Sequence, residues 1–101
     1  MEGLYLDHAA TTPVRPEAAG AMAACLAENF GNPASLHRVG QRARRTLESA
    51  RETVAAHLGA EPEEILFTSG GTESDNLALR GVMAAARGRR RLVVSAIEHA
   101  A

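Results

Sequence analysis

The stretch Phe67-Thr68-Ser69-Gly70-Gly71-Thr72-Glu73-Ser74-Asp75-Asn76 lies between a short apolar run, Ile65-Leu66-Phe67, and helix-compatible residues at 77–80. This order predicts a strand, a tight turn and the first turn of a helix. The two glycines permit positive φ and carry no Cβ atom that would keep a ligand away from the backbone. Thr72 is predicted to be the helix N-cap, with Asp75 completing a capping box.

A helix that begins at this turn would direct unpaired N–H groups, and the positive end of its macrodipole, at one point. Such a point binds phosphate well. Gly-Gly-Thr at a strand-to-helix turn is also compatible with an ordinary βα connection. The stretch is not a Walker A loop, because that motif needs a Lys and the chain has none. It also lacks the G-x-G-x-x-G pattern of dinucleotide-binding folds.

Composition limits the class of protein. The chain has 101 residues, of which 46% are hydrophobic, but only one Tyr and two Phe, so we expect a thin core that is not self-sufficient. The net charge of −1 argues against a nucleic-acid-binding protein. The sequence shows no signal peptide and no membrane span, and the cytoplasm is the expected location. The one Cys, Cys25, excludes an internal disulfide.

Two helices are predicted in the first half of the chain. Pro16 suits the first turn of a helix that runs to about Glu28, with Gly31 as a possible cap. The second helix spans 37–58, with Ser35 as a possible N-cap and Gly59 as C-cap. Its apolar face is predicted to contain Val39, Ala43, Leu47, Ala50, Val54 and Leu58. The opposite side carries the possible ion pair Arg44–Glu48.

The second half reads as a βαβ unit. A strand is predicted at 64–68, a helix from Thr72 to about Arg87 and a second strand at 92–97. Gly88 is expected to end the helix, and Arg89-Arg90-Arg91 to form a basic turn. The near-continuous apolar run of the last strand is typical of a parallel strand covered on both faces. A two-stranded sheet is unfinished, so the sequence reads as the opening third of a larger α/β fold.

Four motifs, in this order and with this spacing, resemble the cysteine desulfurases, pyridoxal-phosphate (PLP) enzymes of the class V aminotransferase group with fold type I. The motifs are Tyr5-Leu6-Asp7-His8-Ala9-Ala10-Thr11-Thr12-Pro13, Asn29-Phe30-Gly31-Asn32-Pro33-Ala34-Ser35-Leu36-His37, the stretch 67–76, and Ser95-Ala96-Ile97-Glu98-His99. The resemblance implies the N-terminal part of the PLP-binding large domain, a three-layer α/β/α structure with a mostly parallel sheet. Residues 1–14 would form an N-terminal arm, and 15–101 would belong to that domain.

The resemblance also implies roles for individual residues. Gly71 and Thr72 match the phosphate-binding pair, through a backbone N–H and the Thr hydroxyl. His99 matches the His that stacks on the PLP ring and takes part in proton transfer. Ala9–Thr12 match an arm on the substrate side of the site. Asn32–His37 match a loop near the active-site entrance and the dimer partner.

The implied reaction converts L-cysteine to L-alanine and passes the sulfur on as a persulfide. A sulfur-acceptor protein such as an iron–sulfur scaffold, and a second copy in a homodimer, are the implied partners. Neither nucleic acid nor a membrane is expected as a partner. Another class V PLP lyase, such as a selenocysteine lyase, is the enzymatic alternative. A non-enzymatic α/β module that binds phosphate through the Gly70–Thr72 turn is the other.

The chain also departs from the family's pattern. PLP chemistry needs a Lys amine to form the Schiff base, and the chain has no Lys. Cys25 falls on an apolar helical face, does not match the family's nucleophile, and is expected to be a small buried side chain. We therefore expect the 101-residue chain alone to be inactive, with exposed apolar surface. His8, His37 and His57 lack the spacing of metal ligands, so no metal site is expected.

Overall fold

A computed structural model describes residues 3–88 and 91–99 of the chain. The element order is α1 (Pro16–Glu28), α2 (Arg38–Leu58), a short 3₁₀ helix (Pro62–Glu64) and α3 (Gly71–Ala85). The chain divides into two compact units, of which the first ends at Pro62 and the second begins at Glu63. The predicted division at 14/15, between an arm and a domain of a larger protein, stays a prediction.

Helix α1 confirms the predicted bounds. Pro16 occupies the first turn, where a missing N–H costs nothing, and Glu17 lies at the positive end of the helix. The helix ends at Asn29, whose N–H donates to the Cys25 carbonyl oxygen at 2.8 Å, so the predicted cap at Gly31 is wrong. No residue of α1 is buried, and Cys25 is exposed. The expectation that Cys25 is a small buried side chain is therefore also wrong, because no described element covers that face.

Helix α2 begins one residue later than predicted and ends as predicted. Its N-cap is His37, whose Nδ1 accepts a hydrogen bond from the Gly40 N–H at 3.2 Å, so the prediction of Ser35 as N-cap is wrong. Ser35 instead donates its backbone N–H to the Asn32 carbonyl oxygen at 3.0 Å. At the other end Gly59 has φ 66° and ψ 33°, the left-handed conformation predicted for a C-cap glycine.

The buried side of α2 is made of small residues. Gly40, Ala43 and Ala55 are its buried residues, and only Ala43 belongs to the predicted apolar face. Leu58 is 70% exposed, although the pattern assigned it to that face. Gly40 is buried because the loop before the helix approaches closely: a Cβ atom at Gly40 would lie 2.5 Å from the Ser35 carbonyl oxygen. The apolar periodicity predicts the direction of a helical face. It does not predict the close contact at Gly40, which only a residue without a side chain permits.

Ion pairs in the first unit also differ from the prediction. Glu48 pairs with Arg51, three residues later on α2, at 3.1 Å, rather than with Arg44. Arg42 of α2 pairs with Glu28 at the end of α1, also at 3.1 Å, with both side chains more than half exposed. Exposed pairs of this kind stabilise a fold by at most about 1 kcal/mol.

Helix α3 is the main element of the second unit. It runs from Gly71 to Ala85, one residue earlier at its start and two residues shorter at its end than predicted. Ala86 is the C-cap, so the prediction that Gly88 ends the helix is wrong; Gly88 follows with φ 79° and turns the chain after the helix. Of the predicted basic turn, Arg89 and Arg90 lie outside the described residues.

None of the residues at 3–88 and 91–99 forms a β-strand. The predicted strands at 64–68 and 92–97 have no ladder, and residues 96 and 97 lie in a turn, so the expected sheet is not confirmed. A strand needs partners for its N–H and C=O groups, and a parallel sheet needs layers on both faces. Here Val93 is 84% exposed and Ile97 is 93% exposed, so the described residues supply no such layers.

The expectation of exposed apolar surface is confirmed for the described residues. Their buried apolar side chains are Ala43 and Ala55, whereas large apolar residues on every helix are exposed, including Met22, Leu58 and Val82. No helix among the described residues combines the length and apolar character needed to cross a membrane.

Candidate functional site

The candidate site is built around the first turn of α3. Gly70 is the N-cap residue, and its extended backbone, φ 164° and ψ −180°, is a conformation that any residue adopts. The first hydrogen bond of the helix runs from the Ser74 N–H to the Gly70 carbonyl oxygen at 3.1 Å. Thr72 is therefore the second residue of the helix, and the predicted N-cap at Thr72 with a capping box to Asp75 is wrong. The helix starts earlier because Gly71 already has helical geometry.

Glu73 joins the first turn of α3 to Ser69, the residue before the N-cap. Its Oε2 accepts hydrogen bonds from the Ser69 backbone N–H at 2.7 Å and from the Ser69 hydroxyl at 2.6 Å. The hydrogen bond from the Ser69 hydroxyl lowers the pKa of the Glu73 carboxyl below its ordinary value, and the hydrogen bond from the Ser69 N–H contributes a smaller part of the same shift. Sequence reasoning missed this residue. The sequence signal for it is a Glu at the third position of the helix, four residues after a Ser. This signal becomes visible only when the helix is taken to begin at Gly71.

A second contact ties the same two segments together. The Thr68 and Ser74 hydroxyl oxygens are 2.6 Å apart and share a hydrogen bond. Each also lies 3.2 Å from the Gly70 carbonyl oxygen, to which it is able to donate. The extended segment before the turn is thus joined to the first turn of α3 by two side-chain contacts, Ser69–Glu73 and Thr68–Ser74.

These contacts leave the backbone donors of the first turn free. The N–H groups of Gly71, Thr72 and Glu73 have no acceptor among the described residues. A Cβ atom on Gly70 or Gly71 would have nothing within 4 Å, so the space beside these two residues is open. Neither glycine adopts the left-handed conformation, so the reason predicted for the glycines is only half correct: they leave space, but the turn does not need left-handed backbone.

His99 lies at a cleft of the same unit, next to the second turn of α3. The cleft has a volume of about 580 Å³ and is lined by Asp75 and Leu79 of the helix and by the segment 93–95 with Glu98 and His99. Gly71 and Thr72 are not among its lining residues. The structure thus brings His99 beside the helix that carries the predicted phosphate pair, but it does not bring the three residues into one cleft.

The two segments that the resemblance assigns to the substrate-side arm and to the entrance loop, Ala9–Thr12 and Asn32–His37, lie in the first unit. The arm turns at Asp7, whose carbonyl oxygen accepts from the Ala10 N–H at 3.1 Å and from the Tyr5 hydroxyl at 2.9 Å. Tyr5 also packs edge-on against His8 with ring centroids 5.2 Å apart. Within the segment Asn32–His37, the Asn32 Oδ1 accepts from the Ala34 N–H at 2.9 Å. Both segments are locally ordered by their own hydrogen bonds.

No group of three or more His, Cys, Asp or Glu side chains in the described parts of the chain is arranged to hold a metal ion.

Comparison with known proteins identifies the family. The family model described as aminotransferase class-V matches residues 4–101. The chain belongs to the class-V aminotransferase family. An IscS-like cysteine desulfurase of Mycobacterium tuberculosis is 54% identical over 99 residues, covering 94% of this chain and 25% of that protein. A cysteine desulfurase of Cereibacter sphaeroides is 53% identical over 102 residues, covering 100% of this chain and 26% of that protein.

A relative with lower identity gives the same result. The cysteine desulfurase IscS of Methanosarcina thermophila is 46% identical over 99 residues, with 97% of this chain and 24% of that protein covered. The resemblance inferred from the four motifs is therefore confirmed. The chain spans about a quarter of the length of the curated relatives that it matches.

Proposed function

We propose that this chain is the N-terminal segment of a PLP-dependent cysteine desulfurase. The enzyme would convert L-cysteine to L-alanine, while the thiol of an enzyme Cys takes up the sulfur atom as a persulfide. The proposal rests on one observation above the others: relatives named cysteine desulfurase match nearly the whole chain at up to 54% identity. A cytoplasmic location, a homodimer and a sulfur-acceptor protein such as an iron–sulfur scaffold are parts of the same proposal.

The start of α3 fits the phosphate group of the cofactor. Three backbone N–H groups without acceptors among the described residues stand at the positive end of a 15-residue helix. The absent side chains of Gly70 and Gly71 leave room for phosphate oxygens to approach. In this proposal Gly71 and Thr72 bind the phosphate through their N–H groups, and the exposed Thr72 hydroxyl adds a further donor. Hydrogen bonds to a charged group are roughly twice as strong as neutral ones.

His99 would lie against the face of the cofactor ring. Its position at the cleft beside α3 supports this role, because the ring of PLP has to lie within a few ångströms of its phosphate. PLP supplies an electron sink for the reaction when it is bound. An imidazole is the side chain best suited to hold or move a proton near neutral pH, and His99 would do so from the ring face.

The fold type I large domain is also a proposal. In it, residues 64–68 and 92–97 would pair in a parallel sheet on which α3 packs. This arrangement would cover apolar side chains that are exposed in the described chain, such as Val93 and Ile97. It would also bring His99 to the carboxyl end of a strand, where α/β sheets bind their ligands.

The remaining groups of the reaction are not assigned to this segment. It contains no Lys to hold the cofactor covalently, and Cys25 lies on α1, in the other compact unit from Thr72. A selenocysteine lyase or another class V lyase would share the segment's cofactor contacts, so substrate choice has to be measured. The names of the matched relatives favour cysteine as the substrate.

The test is cofactor binding and substrate turnover by the full-length protein. We expect it to bind PLP and to release one L-alanine for each sulfur atom transferred from L-cysteine. Thr72→Val, which removes the hydroxyl and keeps the shape, should weaken PLP binding about tenfold, equivalent to one charge-assisted hydrogen bond. Thr53→Val on α2 is the matched control. Turnover of selenocysteine with none of cysteine would support the lyase alternative, and absence of PLP binding would reject both enzymes.

A further inference from the structure

Glu73 presents a problem of charge for any phosphate site at the start of α3. It is the third residue of the helix, beside Gly71 and Thr72. A carboxylate and a phosphate that compete for the same N–H groups would repel each other. In the structure the carboxylate binds elsewhere: it accepts hydrogen bonds from the backbone N–H and the hydroxyl of Ser69, two residues before Gly71, at 2.7 and 2.6 Å.

Building on the proposed function, we propose that Glu73 is a positioning residue for the phosphate of PLP, acting through Ser69 rather than by contact with the cofactor. The N-cap residue Gly70 has no side chain to fix the helix start. Glu73 takes over that task and ties the incoming segment to the first turn. The N–H groups of Gly71 and Thr72 are thereby held in a fixed direction and left free of protein acceptors among the described residues.

Two further features support this role. The Thr68–Ser74 contact at 2.6 Å lies next to the Ser69–Glu73 contact, so the turn is braced on two sides. The Ser69 hydrogen bonds lower the pKa of the Glu73 carboxyl, so the carboxyl is in its charged, accepting form throughout the neutral range. A preorganised binding group loses less conformational entropy when its ligand arrives.

The experiment compares PLP with pyridoxal, which lacks the phosphate, in equilibrium binding to the full-length protein. Glu73→Ala should weaken PLP binding roughly tenfold, equivalent to about one hydrogen bond to a charged group, and should leave pyridoxal binding within about twofold. Glu73→Gln, which keeps an acceptor but loses the charge, should fall between Glu73→Ala and the unsubstituted protein. Ser69→Ala, which removes one of the two donors to Glu73, should also be intermediate.

Glu52→Gln is the matched control, because Glu52 is an exposed helical Glu on α2. The ratio of PLP affinity to pyridoxal affinity separates a loss of phosphate positioning from a loss of protein stability. Partial unfolding would weaken the binding of PLP and of pyridoxal alike. If Glu73→Ala does not yield folded protein, the Ser69→Ala ratio decides.

Three results would overturn the inference. Tighter PLP binding by Glu73→Gln would mean that the carboxylate repels the phosphate. Unchanged PLP binding by Glu73→Ala and Ser69→Ala, in a protein that otherwise binds PLP, would reject the positioning role and leave the proposed function intact. Absence of PLP binding by the unsubstituted protein would reject the proposed function and, with it, this inference.

Discussion

Gly40 in α2 lies against the backbone of Ser35, so closely that a Cβ atom on Gly40 would stand 2.5 Å from the Ser35 carbonyl oxygen and 2.6 Å from the Ser35 Cβ. It would also stand 2.7 Å from the Asn32 carbonyl oxygen. Two of these three atoms belong to the backbone, which cannot move aside as a flexible side chain does. The contact fixes the loop at 32–35 against the start of α2.

The first prediction follows from this contact. Gly40→Ala should lower the free energy of unfolding of the full-length protein by about 1–3 kcal/mol, because overpacking forces the loop away from the helix. Gly20→Ala, inside α1 with nothing within 4 Å of the new Cβ, is the matched control and should stabilise by about 0.5–1 kcal/mol. Denaturant unfolding measures both. Equal effects of the two substitutions would contradict the close packing.

The second prediction concerns the end of α2. Gly59 has φ 66°, a conformation that costs a residue with a Cβ atom roughly 1–2 kcal/mol. Gly59→Ala should therefore destabilise by about that amount, although its Cβ would meet nothing within 4 Å. Gly81→Ala in α3 has equally open space and lacks positive φ, so it should be neutral or stabilising. If Gly59→Ala has no effect on the unfolding midpoint, the left-handed cap is wrong.

The third prediction separates the two roles proposed for His99. His99→Phe keeps a flat ring and should bind PLP within a few-fold of the unsubstituted protein, but it should lose turnover that depends on proton transfer. His99→Ala should also weaken PLP binding, by up to about tenfold, since stacking contributes about 0.5–1.5 kcal/mol. His57→Ala, at the exposed end of α2, is the control. Full turnover by His99→Phe would show that the imidazole moves no proton.

The fourth prediction is the pH dependence of the Glu73 contact. Because the pKa of Glu73 is lower in the folded protein, its hydrogen bonds stabilise the helix start at pH values above the unfolded pKa. That stabilisation is lost as the pH falls through the folded pKa. Carboxyl titration by NMR should give a pKa for Glu73 below its ordinary value, and Ser69→Ala should raise it. Ser49→Ala should leave it unchanged; a pKa insensitive to Ser69→Ala would exclude the contact.

The sequence by itself determined the family and the helices. Four motifs in order identified the class-V aminotransferases, and local rules placed α1, α2 and the left-handed Gly59 within a residue or two. These features depend on residues close together in the chain: Pro16 at a helix start, a repeating apolar pattern and a glycine after the last turn. Short-range chemistry is sufficient for them.

Only the tertiary structure decided which residue caps each helix and which side chains are buried. Ser35 and Thr72 are good caps by residue type, but the N-caps are His37 and Gly70, because a helix start one or two residues away changes every capping distance. Gly40 is buried because the loop at 32–35 lies close to α2, and no periodicity in α2 predicts that loop's position. The predicted strands are not confirmed for a similar reason: a strand is completed by partners that its own residues do not specify.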